Sequence, residues 1–382
     1  MGFLYPFKSV ILKSILLTAV LFLCGGTGQA PGRELVLKLL VWDGYAPEDT
    51  RSSFTRMVEE KYHITLKFEV SLASGPHEFF DRLRTGTVDM ISPAHNLPKD
   101  FRFNLTTSGL TLPVNLDNIP NYSKLRPDLQ RQPWAMEGDQ IYGIPIVYGI
   151  YGLAYNITKI KTMPDTWGVL WNPKYRGLYT VNRDYYELNI YISALAMGYD
   201  ANDIFIYDKI KGPDLEQRLK SLAVHSGPFW QGFDRVEHYK HAWLATTWRF
   251  GFPRDEPGFK DWRIAIPREG TTAWADVMML SRTLDGRPLA KKIAENWINY
   301  LLEPEIQAVA LAKRMGTCPV TSEAYDLYLE KILDPEDKVQ LTRHSQHLIP
   351  WKLLAARDRN AYRLLWKEAL MERAQKKGTE SE

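Results

Sequence analysis

The order of strand-like and helix-like segments near the N-terminus most constrains the fold of this chain. The apolar run ELVLKLLVW (34–42) is rich in strand-forming residues and precedes a polar segment of helix length, 47–62. Further strand-like runs, ITLKFEVS (64–71) and VDMISP (88–93), enclose a helix-like segment, HEFFDRLRTG (77–86), that ends in glycine. This βαβαβ order predicts a parallel sheet covered by helices.

The rest of the chain extends this pattern after one interruption. An aromatic, glycine-rich segment, 141–156, breaks the alternation, which resumes at about residue 179 and continues to residue 270. Apolar residues at helical spacing predict two helices, over 290–301 and 362–370, and residues 373–382 are predicted to be a charged, frayed tail. With 382 residues, 45% of them hydrophobic, the chain is long enough for two domains.

The N-terminal residues have the features of a secretory signal peptide. Lys8 and Lys13 precede an apolar stretch, 15–24, that is shorter than the ~20 residues a membrane-spanning helix needs. Cleavage in the small-residue segment that follows would remove residues 1–30 and release the protein into the periplasm. The alternative is a lipid anchor at Cys24. A lipidation motif requires a small residue before the cysteine, and Leu23 is not small.

The composition of the remaining chain excludes several classes of function. Without residues 1–30 there are 46 basic and 45 acidic residues, which gives no electrostatic footprint for nucleic acid. Only Cys318 remains, so no intramolecular disulfide can form. The chain lacks a G-x-S-x-G motif, a phosphate-binding loop and an H-E-x-x-H motif, and no later stretch is apolar enough to cross a membrane. These absences predict a protein that is not an enzyme.

Two histidine pairs are the candidate metal ligands. His238 and His241 are three residues apart, as are His344 and His347, so each pair could bind a metal from one face of a helix. Both pairs lie among charged residues, which is typical of a solvated helix surface. We therefore expect no metal and no other cofactor, and a secreted metal-dependent hydrolase is the least favoured alternative.

Acidic and aromatic residues occur together in two places in the first half of the chain. Trp42, Asp43 and Tyr45 follow the first strand, where ligands bind in parallel α/β sheets, although Asp43 and Gly44 also suit a simple turn. Asp184 and Glu187 lie three residues apart in NRDYYELN. They could serve a ligand, or Asp184 could be a helix N-cap with Glu187 as the third helical residue.

A third place is TTAWADVMMLS, 271–281. As a strand it puts Trp274, Asp276 and Met278 on one face, so a carboxylate lies between two large apolar side chains. Burying a carboxylate is costly unless a cation pairs with it. Trp274 and Asp276 could together hold a cation, or Asp276 could be a core residue bonded to nearby backbone. Trp248 is a further candidate wall of a site.

Longer segments carry a resemblance to a known family. They are FFDRLRTGTVDMISP, YGIPIVYGIYGLAYN, TWGVLWNPKYRGLYTV and AENWINYLLEPEIQAVALAKRMGTCPV, which together cover most of residues 35–320. In these segments, in this order, the chain resembles the periplasmic polyamine-binding proteins, the spermidine/putrescine receptors of ABC importers. These belong to the type II extracellular solute-binding proteins.

The resemblance implies a two-lobed α/β fold of the type II periplasmic-binding-protein class. Each lobe would be a mostly parallel sheet covered by helices, with the ligand cleft between the lobes and hinge closure on binding. The implied boundaries are 31–146 with 272–320 for the first lobe and 147–271 with 321–372 for the second, followed by the tail.

The resemblance also implies a function and a site. The protein would capture a polyamine and deliver it to an ABC permease with its ATPase, as a monomer and without nucleic acid or cofactor. The ligand-binding positions, with Asp43 as the substitute for a family acid that is Gly44 here, would be Trp42, Asp43, Tyr45, Asp184, Glu187, Trp248, Trp274 and Asp276.

Part of the implied cleft departs from the family pattern. Ala94, His95 and Asn96 occupy polar and aromatic family positions, Arg249 follows the cleft tryptophan, and Lys352 aligns with a family glutamine. These changes leave two alternatives open. The ligand could be another cationic amine, or a zwitterion whose carboxylate meets Arg249 or Lys352, or the protein could be a secreted sensor that no longer serves transport.

Overall fold

The computed structural model describes residues 33–252, 256–344 and 347–379. The predicted signal peptide, Cys24 and the last three residues of the predicted tail lie outside these ranges, as does the side chain of His344. Within them, none of the helices combines the length and the hydropathy that crossing a bilayer requires.

The predicted βαβαβ unit is confirmed. It consists of β1 (Arg33–Val41), α1 (Glu48–Tyr62), β2 (Ile64–Leu72), α2 (Pro76–Arg84) and β3 (Met90–Ile91). β1 pairs in parallel with both β2 and β3. The helices connect these parallel strands, as the segment order requires.

The elements after β3 complete two large sheets and their helical covering, and β5 and β6 form a separate two-stranded sheet. They are β4 (Thr111–Leu112), β5 (Met136–Glu137), β6 (Gln140–Ile141), β7 (Gly143–Ile150), β8 (Gly152–Asn156), β9 (Tyr179–Thr180), α3 (Tyr186–Leu195), α4 (Tyr207–Ile210), α5 (Pro213–His225), β10 (Leu244–Thr247), β11 (Trp262–Ala265), β12 (Thr271–Ser281), α6 (Pro288–Leu301), α7 (Ser322–Lys331), α8 (Pro335–His344), β13 (Leu348–Pro350) and α9 (Ala356–Thr379). A π-helix spans Ile306–Lys313. Short 3₁₀ helices span Leu116–Asn118, Pro120–Lys124, Pro127–Leu129, Pro133–Ala135, Trp167–Trp171, Pro173–Tyr175, Asp203–Phe205, Val236–Tyr239 and Arg282–Leu284.

Both large sheets contain parallel and antiparallel pairs. The first has the order β13-β12-β3-β1-β2, with β4 and β7 also on β12, and the second has the order β11-β8-β10-β9. β12 is antiparallel to β3, β4 and β7, and β8 is antiparallel to β10 and β11. The expectation of a mostly parallel sheet in each lobe is therefore wrong. The chain crosses along β7 and β8 and returns along β11 and β12, so these neighbours run in opposite directions.

Each sheet has its own helices, and we call the two assemblies the first and second lobes. In the first lobe, α1 and α6 pack on the side of β1 and β2, and in the second lobe α3, α5 and α9 pack on one another. The chain passes between the sheets at Tyr151 and again between Ala265 and Thr271. The predicted lobe boundaries stay a prediction, but β13, which they assign to the second lobe, pairs with β12 of the first.

The predicted frayed tail is wrong for residues 373–379, because α9 continues to Thr379. The Arg373 guanidinium donates to the backbone carbonyls of Ala223, Ser226 and Gly227, at the end of α5. A cation at a helix C-terminus satisfies carbonyls that have no partner within the helix. This contact holds the C-terminal helix on the second lobe.

Candidate functional site

The central element of the site is β12, whose residues are all buried. It pairs with β7 along most of its length, from Ala273 opposite Ile150 to Met279 opposite Gly143. The register shifts between Asp276 and Val277. Such irregularities re-aim side chains and are common beside functional sites. Here the irregularity comes directly after the carboxylate that the sequence singled out.

Asp276 is a buried carboxylate with no cationic partner among the described residues. It is 5% exposed, and its Oδ2 accepts a hydrogen bond of 2.6 Å from the Tyr45 hydroxyl, not from nearby backbone. No lysine, arginine or histidine in the described part of the chain acts on its pKa. Burial raises the pKa of Asp276 to about 7, against the opposing effect of the Tyr45 hydrogen bond. The carboxyl group is therefore poised to accept a cation from outside the protein.

A tight turn after β1 delivers Tyr45 to Asp276. Gly44 has a φ of +88°, which favours glycine, and a Cβ there would lie 2.8 Å from Sδ of Met315, whose side chain would have to move. The Tyr45 N–H then donates to the Trp42 carbonyl oxygen at 3.3 Å. Burial and the neighbouring Asp276 charge raise the pKa of the Tyr45 hydroxyl well above its usual value, which keeps it a donor.

Aromatic rings from both lobes meet beside these two residues, and we call this group the Trp248 cluster. Its members around Trp248 are Tyr185 at a centroid distance of 5.0 Å, Tyr151 at 5.1 Å, Trp351 at 6.0 Å, and Trp230 and Trp274 at 6.1 Å. The Trp248 and Trp274 rings are nearly perpendicular, at 87°. Gly149 lies against the Trp274 ring, where a Cβ would clash. Perpendicular indoles of this kind can enclose an alkyl chain or face a cation.

Tyr185 connects the cluster to the acidic residues. Burial raises the pKa of its hydroxyl, and the charges of Asp276, Glu187 and Asp184 raise it further. Three of the four predicted acids therefore lie within electrostatic range of one tyrosine in the Trp248 cluster.

Trp248 is fixed by a second buried aspartate, Asp234. Its carboxylate accepts hydrogen bonds from the Tyr239 hydroxyl (2.6 Å), the Thr247 hydroxyl (2.7 Å), the Trp248 N–H (3.1 Å) and Arg249 Nε (3.2 Å). Arg249 also donates to the carbonyl oxygens of Met315 and Asp234, and its guanidinium lies over the rings of Phe233 and Phe259. Arg249 is thus committed to the protein, which disfavours it as the partner of a ligand carboxylate.

Asp184 is exposed and supports the loop that holds Trp248. Its Oδ2 accepts a hydrogen bond of 3.2 Å from the Gly232 N–H, and the Gly232 carbonyl accepts one of 2.9 Å from Trp248 Nε1. The predicted N-cap at Asp184 is wrong. Asn182 Oδ1 accepts from the N–H groups of Asp184 and Tyr185 instead, because this buried amide precedes the first turn of α3.

Glu187 is the second residue of α3, not the third as predicted. It is half-buried. Burial raises the pKa of its carboxyl group, while Tyr186, Arg359 and Arg102 act in the opposite direction. Unlike Asp276, this acid has cationic side chains of the protein nearby.

Two predicted residues, Trp42 and Asp43, make other contacts. Trp42 is half-buried, and its ring packs edge-on against Phe79 at a centroid distance of 5.0 Å. The carboxylate of Asp43 is 64% exposed and lies 3.5 Å from Arg235 of the second lobe. The structure therefore groups Tyr45, Trp248, Trp274 and Asp276.

The sequence reasoning missed several aromatic members of the site. Tyr185 lies inside the motif NRDYYELN, where attention to the acids alone passed over it. Trp351 follows β13 and is held by His95, whose Nδ1 accepts from the Ala275 N–H at 3.1 Å and whose Nε2 donates to the Trp351 carbonyl at 3.1 Å. The His95 ring also packs edge-on against Trp134 at 5.3 Å. His95 thus departs from the family pattern but still supplies an aromatic ring at this position.

Lys352 and the candidate metal ligand His238 also have partners within the protein. Lys352 is exposed, and its Nζ donates to Asn202 Oδ1 at 2.7 Å. His238 Nδ1 accepts from the Arg235 N–H at 2.9 Å, and its ring stacks on Trp230. Across residues 33–252, 256–344 and 347–379, no three His, Cys, Asp or Glu side chains form a group that could hold a metal.

Comparisons with known proteins agree with this architecture. Residues 86–337 match the model of the bacterial extracellular solute-binding protein family. The chain is 20% identical to the putrescine-binding periplasmic protein PotF of Escherichia coli K12, over 74% of this chain and 77% of that one. It is 22% identical to the putrescine-binding periplasmic protein SpuD of Pseudomonas aeruginosa, over 78% and 81%.

A solved structure confirms the two-lobed fold. The spermidine/putrescine ABC transporter substrate-binding protein PotD of Streptococcus pneumoniae superposes with a TM-score of 0.69, covering 88% of this chain and 99% of that one at 18% identity. Because the family model spans well over half of the sequence, the assignment does not depend on any single relative. The chain belongs to the bacterial extracellular solute-binding proteins.

Proposed function

We propose that this protein captures a polyamine of the putrescine or spermidine type and delivers it to an ABC importer. The observation that carries the proposal is Asp276, a buried carboxylate whose one hydrogen-bond donor is Tyr45 and which has no cationic partner in the described chain. A buried charge of this kind is stabilised by a ligand ammonium group. The names of PotF and SpuD support the same class of ligand.

The binding step follows from the chemistry of the ligand. A polyamine consists of ammonium groups joined by apolar methylenes, so it needs a carboxylate at one point and aromatic walls beside it. Asp276 would neutralise one ammonium group, with Tyr45 fixing the carboxylate, while Trp248 and Trp274 would flank the methylenes. Trp248 belongs to the second lobe and Asp276 to the first, so the ligand would favour the closed arrangement of the lobes.

The partners and location complete the proposal. A signal peptide would export the chain to the periplasm, where it would act as a monomer. A permease with its ATPase would receive the closed, loaded form. The protein would supply no catalytic step.

Titration calorimetry with putrescine, spermidine, spermine and amino-acid-derived amines tests the proposal. We expect saturable binding of at least one polyamine, with a change in tryptophan fluorescence because Trp248 and Trp274 line the site. A lack of response to every polyamine at millimolar concentration would overturn it.

A further inference from the structure

One loop from each lobe meets the other at the edge of the proposed site. The loop 42–45 follows β1 of the first lobe, and Tyr45 within it donates to the Asp276 carboxylate. Asp43 of the same loop reaches the second lobe, where its Oδ2 lies 3.5 Å from Nη2 of Arg235. This ion pair therefore joins the two lobes close to a side chain of the site.

Arg235 is fixed on the second lobe beside Trp248. The residue before it, Asp234, accepts a hydrogen bond of 3.1 Å from the Trp248 N–H. The Arg235 N–H donates to His238 Nδ1 at 2.9 Å, and the His238 ring stacks on Trp230 at a centroid distance of 6.3 Å. The backbone of Arg235 is thus held by the same segment that positions Trp248.

The loop that carries Asp43 is fixed on the first lobe. The Trp42 N–H donates to the Ser92 hydroxyl at 3.2 Å, and the Trp42 ring packs edge-on against Phe79. The Tyr45 N–H closes the turn by donating to the Trp42 carbonyl oxygen at 3.3 Å. Because each partner of the ion pair is anchored in its own lobe, the distance between the two charges depends on how the lobes are placed relative to each other.

A second ion pair between the lobes is buried instead. Arg359 Nη2 of α9 lies 2.8 Å from Asp100 Oδ2 in the loop after β3, and the two side chains are 9% and 2% exposed. Arg359 follows by one helical turn the segment 351–355, in which the chain crosses from β13 of the first lobe to α9. Separating buried charges is costly, whereas the side chains of Arg235 and Asp43 are 67% and 64% exposed and water can solvate them. Opening of the cleft would therefore break the exposed pair first.

We propose that Asp43 and Arg235 form a latch, an ion pair that is made when the lobes close on a ligand and broken when they separate. The inference rests on the proposed capture of amines, and it assigns Asp43 to closure of the lobes and not to contact with the ligand. A contact that is made only in the closed, loaded form slows release of the ligand. Salt screens exposed charges, so the latch should be ineffective at high ionic strength.

Stopped-flow tryptophan fluorescence of the full chain with putrescine and with spermidine tests the latch, because it separates the rate constants of binding and release. Asp43→Asn and Arg235→Gln should each raise the release rate constant about 1.5- to fivefold at low ionic strength, the range of an exposed ion pair. Both effects should disappear at about 1 M NaCl. Asp43→Arg combined with Arg235→Asp should restore slow release. Glu34→Gln is the matched control and should leave release unchanged, because it breaks an exposed pair with Lys67 between β1 and β2 of the first lobe.

The sign of the Arg235→Gln effect distinguishes the latch from direct binding of the ligand by Asp43. If Asp43 held an ammonium group, Arg235→Gln would free its carboxylate and slow release, and this result overturns the latch. Changes confined to the binding rate constant would overturn it too, since the two charges would then only steer the amine towards the cleft. Equal release from all variants at low ionic strength would also contradict it. Failure of the unmodified protein to bind any amine would instead reject the proposed function, and the latch with it.

Discussion

Two buried aspartates, Asp234 and Asp276, have opposite surroundings. Asp234 has no exposed surface, and its carboxylate receives hydrogen bonds from two hydroxyl groups, one backbone N–H and the Arg249 guanidinium. Asp276 is almost as buried, yet among the described residues its carboxylate has only the Tyr45 hydroxyl as a hydrogen-bond donor. Burial is therefore the same for both residues, and the difference lies in the compensation of their charge.

The difference separates a structural carboxylate, Asp234, from Asp276, the carboxylate that we propose binds a ligand cation. The charge of Asp234 is compensated by groups of the protein, and its carboxylate holds Trp248 and Arg249 in place. The charge of Asp276 is not compensated in this way. Ionising the carboxyl group in its buried position costs about 4 kcal/mol, judged from the rise of its pKa to about 7. A ligand cation would recover much of this cost. The same residue type therefore has its charge compensated at one position and not at the other, and the neighbouring groups make the difference.

The largest expected effect is on the structural aspartate. Asp234→Asn leaves the buried Arg249 guanidinium without its counter-charge, and breaking a buried pair in this way costs about 3–5 kcal/mol. We expect the free energy of unfolding, measured by urea denaturation, to fall by this amount. Asp43→Asn removes an exposed partner of Arg235 and should change it by less than about 1 kcal/mol. Equal effects of the two changes would mean that Asp234 is not the anchor described above.

Asp276→Asn should weaken ligand binding strongly and leave the stability of the fold unchanged or higher. Amine affinity should fall at least about a hundredfold, since the ammonium group loses a buried counter-charge. The thermal midpoint of the unliganded protein at pH 8 should stay the same or rise, because a costly buried charge is removed. Calorimetric titration and thermal unfolding measure the two effects. A sharply lowered midpoint with unchanged affinity would make Asp276 a core residue like Asp234.

The sequence allowed Asp276 to be predicted but not Asp234. Asp276 stood out because an acid interrupts an apolar strand, and β12 confirms that strand. Asp234 lies in an irregular segment, and its donors come from residues up to 15 positions away in the chain, so only the folded backbone assembles them.

Residues from the ends of distant elements were missed for a related reason. Trp351 reaches Trp248 through pairing of β13 with β12, and Arg359 reaches Asp100 across the two lobes. No local sequence pattern predicts contacts between residues that are so far apart in the chain. The βαβαβ unit, in contrast, depends on local strand and helix preferences and was predicted almost to its boundaries.

Tyr45→Phe sharpens the comparison by removing the hydroxyl that donates to the Asp276 carboxylate. Hydrogen bonds to charged groups are worth about 1.5–3 kcal/mol, so amine affinity should fall about ten- to a hundredfold at pH 8. The pKa of Asp276 should rise further, because this bond is what lowers it. Titration of the variant with putrescine at several pH values measures both effects. An unchanged affinity at every pH would show that the hydroxyl does not orient the carboxylate.

The smallest effect is the pH dependence of the unmodified protein. Folding raises the pKa of Asp276 from 3.8 to about 7, so the folded unliganded protein binds a proton more tightly than the unfolded chain. This contribution to stability is present at low pH and is lost as the pH rises through about 7. An ammonium ligand requires the ionised carboxylate, so its affinity should change in the opposite direction.

We therefore expect amine affinity to be constant above about pH 7.5 and to fall towards a limit of about tenfold per pH unit below pH 7. Titrations in buffers of different ionisation enthalpy should show close to one proton released per ligand at pH 6 and almost none at pH 8.5. Asp276→Asn should remove this proton release. A flat affinity between pH 6 and pH 8 would mean that Asp276, like Asp234 beside Arg249, is neutralised by the protein itself.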